Sequence, residues 1–328
     1  MEAMTRLGYQ IPNFTYPGVD SAGLFDAIAR QAKEADGSGF DTVLVMDHFF
    51  QLVMLGPPEH EMVEAYTLLG ALARETSNVR LGTLVTGNTY RNPAILAKTV
   101  TALDVVSGGR AQLGIGSGWF EHEHDAFGIP FGTFTDRFEK LEEALQIILP
   151  MLRGERVTFA GEHYQVQDAF NVPAPVGRIP VMIGGGGEKK TLRMVAQYAD
   201  ESNLIAGADE IPRKLEALAE HCETCGRDRG ELTVSWQRSV CIAPTMEQAE
   251  RERDEGLRVA FPDFDAMDAG MRDFILGRFI LGDPDTVGER LAADLALGVD
   301  GFTINLPVNG HVPGRVALLG EVAGKVVG

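Results

Sequence analysis

Apolar residues fall along this chain in two alternating kinds of run. Short, near-continuous stretches, RLGYQIP (6–12), DTVLVMD (41–47) and RLGTLVT (80–86), are each followed by a longer segment whose apolar positions recur every three or four residues. The first kind predicts parallel strands buried on both faces, and the second predicts amphipathic helices. In 24–39, Leu24, Ile28, Ala32 and Ala35 share one face. Segment 63–76 is similar. Segment 92–109 opens with Asn92 as N-cap and Pro93 at the first helical position, and it closes in glycines. RAQLGIGSG (110–118) reads as a fourth strand, and the helix after it carries Phe138, Leu141, Leu145, Ile148, Leu149 and Leu152 at helical spacing.

The alternation repeats in the second half. Strands are predicted at 179–185, 201–207, 232–243 and 299–307, with helices at 188–198, 210–224, 245–258, 283–298 and 313–327. Residues 157–169 read as an inserted hairpin turning at Ala160 and Gly161, and the irregular segment 259–282, rich in Phe, Met and Asp, reads as a lid-like insertion. Eight strands alternating with helices predict an α/β fold, a (β/α)8 TIM barrel with insertions, as one domain over 1–328. A doubly wound sheet is the alternative, and the strand count disfavours it. Barrel chemistry sits at the C-terminal ends of the strands. Those ends collect Gln10, Asp47, His48, Leu84 to Asn88, Gly116 to Trp119, Gly184 to Gly187, and Asn305.

Composition narrows the picture. The chain is 45% hydrophobic and 23% charged, ordinary for a water-soluble globular protein. Its apolar runs are too short for a transmembrane helix. MEAMTRLGYQ (1–10) lacks the basic start and apolar stretch of a signal peptide. Cys222 and Cys225 form a lone C-x-x-C at a helix end, with no second pair to complete a zinc site. A cytoplasmic protein without a metal is expected. The net charge of −18 disfavours nucleic acid as a partner. It also obliges any anionic ligand to find local cations. VMIGGGGEKKT (181–191) offers them. Glu188 before Lys189 rules out a Walker A loop, and Lys189 at the sixth position from Gly184 rules out a dinucleotide fingerprint. The general mechanism remains: bare backbone and the N–H groups of the next helix receive a phosphate, with Lys189, Lys190 and Arg193 beside it. In WFEHEHD, His122 and His124 read as a solvated loop or helix face rather than metal ligands. Arg91 reads as a cap on the third strand, with no role in the site.

LVMDHF (44–49), LGTLVTGNTYRNPAILAKTVTALDVVSGGRAQLGIGSGW (81–119) and IGGGGEKKTLRMVAQYAD (183–200), supported by GDPDTVGERL (282–291) and GVDGFTINL (298–306), carry a resemblance over nearly the whole chain. The chain resembles the bacterial-luciferase-like flavin and deazaflavin oxidoreductases. Gly-Trp after the fourth strand, followed by acidic residues and AFG, resembles the actinobacterial subgroup that uses coenzyme F420, an 8-hydroxy-5-deazaflavin. The resemblance implies hydride transfer between that cofactor and a small organic substrate, in a homodimer. An FMN-dependent luciferase-like monooxygenase and a non-catalytic deazaflavin-binding protein are the alternatives. The resemblance places Asp47 and His48 at the cofactor ring. His48 would give or take the substrate proton, and Asp47 would set its tautomer or touch the cofactor. It implies that a bulge with a non-proline cis peptide at Leu84–Val85 backs the cofactor ring, with Thr83 and Asn88 also binding the cofactor. Ser117, Gly118 and Trp119 would hold the ring or ribityl chain. Gly184, Gly185, Gly186, Gly187, Lys189 and Lys190 would hold the phosphate. Tyr90, Trp119 and 259–282 would wall the substrate pocket. Sugar-phosphate dehydrogenases of this kind carry a catalytic glutamate where this chain has Trp119, and a tryptophan where it has Leu52, so sugar-phosphate oxidation is not implied.

Overall fold

Strand and helix alternate from end to end in the computed structural model, which describes residues 6–328. The stretch read for a targeting signal therefore begins outside the described residues. The elements are β1 (Leu7–Ile11), α1 (Leu24–Asp36), β2 (Thr42–Asp47), α2 (Ala65–Glu75), β3 (Arg80–Gly87), α3 (Pro93–Ser107), β4 (Leu113–Gly116), α4 (Glu121–Phe127) and α5 (Phe134–Leu152). They continue with β5 (Val157–Ala160), β6 (Gln165–Ala169), β7 (Val181–Gly184), α6 (Thr191–Tyr198), β8 (Glu201–Leu204), α7 (Ile211–Cys225), β9 (Thr233–Ile242), α8 (Met246–Ala260) and α9 (Ala269–Leu276). The last are β10 (Phe279–Gly282), α10 (Pro284–Leu295), β11 (Gly301–Asn305) and α11 (Arg315–Val327). β1, β2, β3, β4, β7, β8, β9 and β11 pair in parallel and in chain order, and the β11–β1 pairing closes the ring. The fold is an eight-stranded (β/α)8 barrel.

Alternation along each strand decides which side chains meet the helices. Tyr9, Val43, Val45, Leu81, Ile115, Ile183, Trp236 and Phe302 join Ile28, Leu69, Leu96, Leu145 and Leu192 in the main core. The opposite parity, including Gln10, Thr42, Gly114, Asn203, Ser235, Thr303 and Asn305, lines the barrel. Its interior is therefore small and polar, with an apolar plug of Leu44, Leu84 and Met182. The register slips once between β2 and β3: Val45 pairs with Thr83, but Asp47 pairs with Thr86. The extra residue falls at Leu84–Val85, where the peptide is cis, as the resemblance implied.

Several boundaries differ from the sequence reading. The turn Glu188–Lys190 delays α6 to Thr191. Segment 259–282 is not irregular throughout, since it holds α9 and then β10, which pairs with β9 from Phe279 opposite Ser239. β5 and β6 form an antiparallel hairpin, and its Tyr164 hydroxyl accepts a bond from Asn88 Nδ2 at 3.3 Å.

Candidate active site

Asp47 and His48 end β2 as neighbours and meet different partners. Asp47 has the parity of Val43 and Val45, so its carboxylate is directed toward the helices. There Arg91 donates to both of its oxygens, at 2.5 and 3.0 Å, and also to Glu64 at 2.8 Å. Burial pushes the Asp47 carboxyl up, and the Arg91 guanidinium opposes that shift. Arg91 is itself raised, because Asp47 and Glu64 outweigh its own desolvation. Two expectations are corrected here. Arg91 is the counter-ion of Asp47 rather than a strand cap, and both Asp47 oxygens are bonded to Arg91 rather than to His48.

Glu123 faces the imidazole instead. His48 is 9% exposed, and its Nδ1 lies 2.9 Å from Glu123 Oε2. Glu123 is fully buried. Its Oε1 accepts the backbone N–H groups of Phe49 (2.5 Å) and Phe50 (2.8 Å), and its Oε2 also accepts the Tyr90 hydroxyl. Burial alone would raise this carboxyl; the bond and charge of His48, with Tyr90 and Phe50, hold it below its ordinary value. Burial and the bond to Glu123 push the Tyr90 hydroxyl up. Sequence reasoning missed Glu123, because in EHEHD nothing distinguishes it from Glu121. Only the short helix α4 turns the one inward and leaves the other exposed. His124 is also buried, against the expectation of a solvated face: Nδ1 meets the Phe120 carbonyl at 2.9 Å and Nε2 the Thr89 hydroxyl at 2.7 Å. Among the described residues no His, Cys, Asp and Glu cluster is suited to a metal ion.

Around His48 the wall is aromatic. Trp119 is 55% exposed and stacks on Phe120 with centroids 5.1 Å apart, and both rings meet the imidazole edge-on at 5.8 Å. Tyr90 contacts Phe49 and His124.

Beside the wall lies a floor almost without side chains. Gly116 and Gly184 end adjacent parallel strands, and a Cβ on either would stand 3.1 or 2.9 Å from the Val85 side chain. Gly118 and Gly185 take φ of +82° and +116°, which favour glycine. Leu84 offers its carbonyl to Gln10 Nε2 (3.3 Å), while Gln10 Oε1 receives Gln237 and Asn305 at 2.9 and 2.8 Å. The Oδ1 atoms of Asn88, Asn203 and Asn305 are buried without a partner at these strand ends. Ser117 precedes Gly118, whose carbonyl accepts from Arg137 Nε at 3.1 Å. Thr83 departs from its expected place: its hydroxyl is bonded to the Gly114 carbonyl (2.9 Å) and Thr86 (3.0 Å), away from the mouth.

The cations of the glycine loop are also rearranged. Lys189 is exposed. The Lys190 ammonium sits 5.2 and 5.4 Å from the ring centroids of Phe134 and Phe138. Arg193 is turned to Glu142, at 2.8 Å. Lys214, unforeseen, is buried and donates to the Gly186 carbonyl at 2.9 Å.

This geometry can be set beside known proteins. The family model of the luciferase-like monooxygenases matches residues 5–301. The chain belongs to that family. It is 32% identical to the F420-dependent glucose-6-phosphate dehydrogenase of Microbacterium testaceum over 66% of this chain and 64% of that protein, so the match spans just under two thirds of the relative. It is 30% identical to the enzyme of the same name from Segniliparus rotundus, over 84% of this chain and 86% of the relative. Among solved structures, an F420-dependent secondary alcohol dehydrogenase in complex with an F420–acetone adduct shares the fold at a TM-score of 0.79 and 20% identity, covering 99% of this chain and all of the other.

Proposed function

We propose that this luciferase-like family member is a coenzyme F420-dependent oxidoreductase that moves a hydride between the deazaflavin and a small organic substrate. One observation carries the reading. A histidine held by a buried carboxylate follows the C-terminal end of β2, at the same barrel mouth where Gly116 and Gly184 end their strands against Val85. Relatives at 30% identity and above bear the F420 name and add weight to it. The residues fit such a group. Leu84 and Val85 would back the ring, with Asn88, Ser117, Gly118 and Trp119 beside it. The partnerless amide oxygens of Asn88, Asn203 and Asn305 are ready acceptors for its N–H groups. Gly184 to Gly187, with Lys189 and Lys190, would take the phosphate. The deazaflavin supplies two-electron hydride chemistry when bound.

The chain's own residues do the rest. His48 gives or takes the substrate proton, a role of general acid–base type. The Trp119 and Phe120 faces keep water from the reacting end of the substrate and favour an apolar one. Asp47 and Arg91 brace the end of β2. Among the described residues no helix is long and apolar enough to cross a membrane. We read the protein as cytoplasmic and homodimeric, and as one domain in which 157–169 and 259–282 are insertions. The test is anaerobic titration with F420 and with FMN, followed by turnover with simple secondary alcohols, ketones and enones. Oxidation or reduction of bound deazaflavin by one of these is expected. Oxygen-dependent turnover with FMN would establish the monooxygenase instead, and F420 binding with no turnover would establish a carrier.

A further inference from the structure

We propose that Glu123 is a positioning residue that locks His48 in its Nδ1–H tautomer, leaving Nε2 as the atom through which the substrate proton passes. The proposal rests on the function above only for what that proton serves. Its basis is the donor count around one carboxylate. Oε1 receives two backbone N–H groups, from Phe49 and Phe50, and such groups only donate. Oε2 faces His48 Nδ1 and the Tyr90 hydroxyl. A buried carboxyl with two obligatory donors on one oxygen and two available donors on the other is satisfied when ionised, and an ionised carboxylate accepts only. The proton between Glu123 and His48 therefore sits on Nδ1.

Among the described residues the neighbouring groups are committed elsewhere. Asp47, the adjacent residue, is held on both oxygens by Arg91, which also takes up Glu64. From the turn after β3, Tyr90 donates to Glu123. From the 119–120 segment come only the Trp119 and Phe120 rings, edge-on to the imidazole. On α4, the His124 nitrogens are committed to the Phe120 carbonyl and Thr89, and His122 packs its ring on Phe50 and Phe120. With Nδ1 fixed, a neutral His48 presents a lone pair at Nε2. It can take a hydroxyl proton from a substrate being oxidised and return it to a carbonyl being reduced.

Glu123→Gln makes a sharp test. Phe49 and Phe50 still demand an acceptor, so the amide oxygen stays on their side. The amide NH2 then faces His48 and asks Nδ1 to accept, which moves the imidazole proton to Nε2. The measurement is long-range 15N–1H NMR of the His48 ring in the cofactor-free full-length protein, for wild type, Glu123→Gln and Glu123→Asp. We expect Nδ1–H in wild type, Nε2–H in Glu123→Gln, and Nδ1–H again in Glu123→Asp. Turnover in Glu123→Gln should fall by about 10²–10⁴-fold with KM little changed, the scale for losing a correctly oriented acid–base group. Glu123→Asp should recover part of it. An Nε2–H tautomer in wild type, or an unchanged tautomer in Glu123→Gln, overturns the proposal and leaves Glu123 as an anchor for residues 48–50. The wild-type spectrum decides even if Glu123→Gln fails to fold. Because no cofactor is present, it also decides if the F420 reading fails.

Discussion

Two neighbouring side chains, Asp47 and His48, are served by two separate counter-groups, and each pair makes its own prediction. Asp47 and Arg91 form a buried pair whose members are costly alone. Arg91→Ala should destabilise the fold by about 3–5 kcal/mol in chemical denaturation, because it strands a buried carboxylate. Adding Asp47→Asn should return much of that loss. An additive double mutant would mean the two do not act as a pair. His48→Ala should leave cofactor binding in place and slow turnover by roughly 10²–10⁴-fold. Unchanged turnover would place the proton elsewhere. Glu123 adds a pH dependence. Its folded-state pKa lies below the ordinary 4.5, so its contribution to stability is complete above that value and is lost as pH falls through the depressed one. The stability advantage of wild type over Glu123→Gln should therefore shrink as pH falls below 4.5. A gap that holds unchanged through that fall would mean that the carboxyl is not the stabilised group. Asp47 and His48 were legible in the sequence because a strand end in a barrel is a defined place. Arg91 and Glu123 were not, since each acquires its role from a contact 44 or 75 residues away.

Elements were legible where periodicity is long, and less so where the chain makes its site. The eight barrel strands follow from apolar runs. The slip at Leu84–Val85 has no signature in hydrophobic pattern and came from resemblance alone. β10 was absorbed into an apparent insertion because it pairs on β9 outside the closed ring of eight, where the strand–helix alternation does not call for a strand. The strand-end glycines allow a test at this scale. Gly184→Ala would set a Cβ 2.9 Å from Val85 Cγ1, on a strand held by pairing to β4 and β8, so Val85 has to give way. Overpacking of this kind costs about 1–3 kcal/mol, and here it should also weaken cofactor binding, because Val85 is a residue proposed to back the ring. Gly128→Ala is the control. That glycine caps α4 at φ +66° with nothing within 4 Å of the added carbon. It should cost only the left-handed strain, about 1–2 kcal/mol, and leave binding unaltered. Equal binding by both variants would detach the floor from the cofactor.

Charge acts over the whole molecule, and it bears on which cofactor the barrel accepts. FMN ends in one phosphate, whereas the deazaflavin continues through phospholactate into a glutamate tail with several carboxylates. A protein at −18 repels such a tail at long range, so its reception depends on the few charges at the glycine loop. Lys214 and Arg213 each lie within 3.8 Å of both Glu188 and Glu210, and those four charges largely cancel. The local surplus rests on exposed Lys189 and on Lys190, steadied over Phe134 and Phe138. Exposed ion pairs contribute up to about 1 kcal/mol each. Lys189→Ala/Lys190→Ala should then weaken F420 binding by roughly tenfold at low salt, and FMN binding by less. In about 1 M salt the screening length falls to roughly 3 Å, and the difference between the ligands should close. Fluorescence titration of both ligands at two ionic strengths measures it. Equal losses for the two would show that the tail leaves the barrel away from α6. Tighter binding of FMN than of F420 by the wild type would show that the loop is built to end at one phosphate, and would favour the monooxygenase reading of the site.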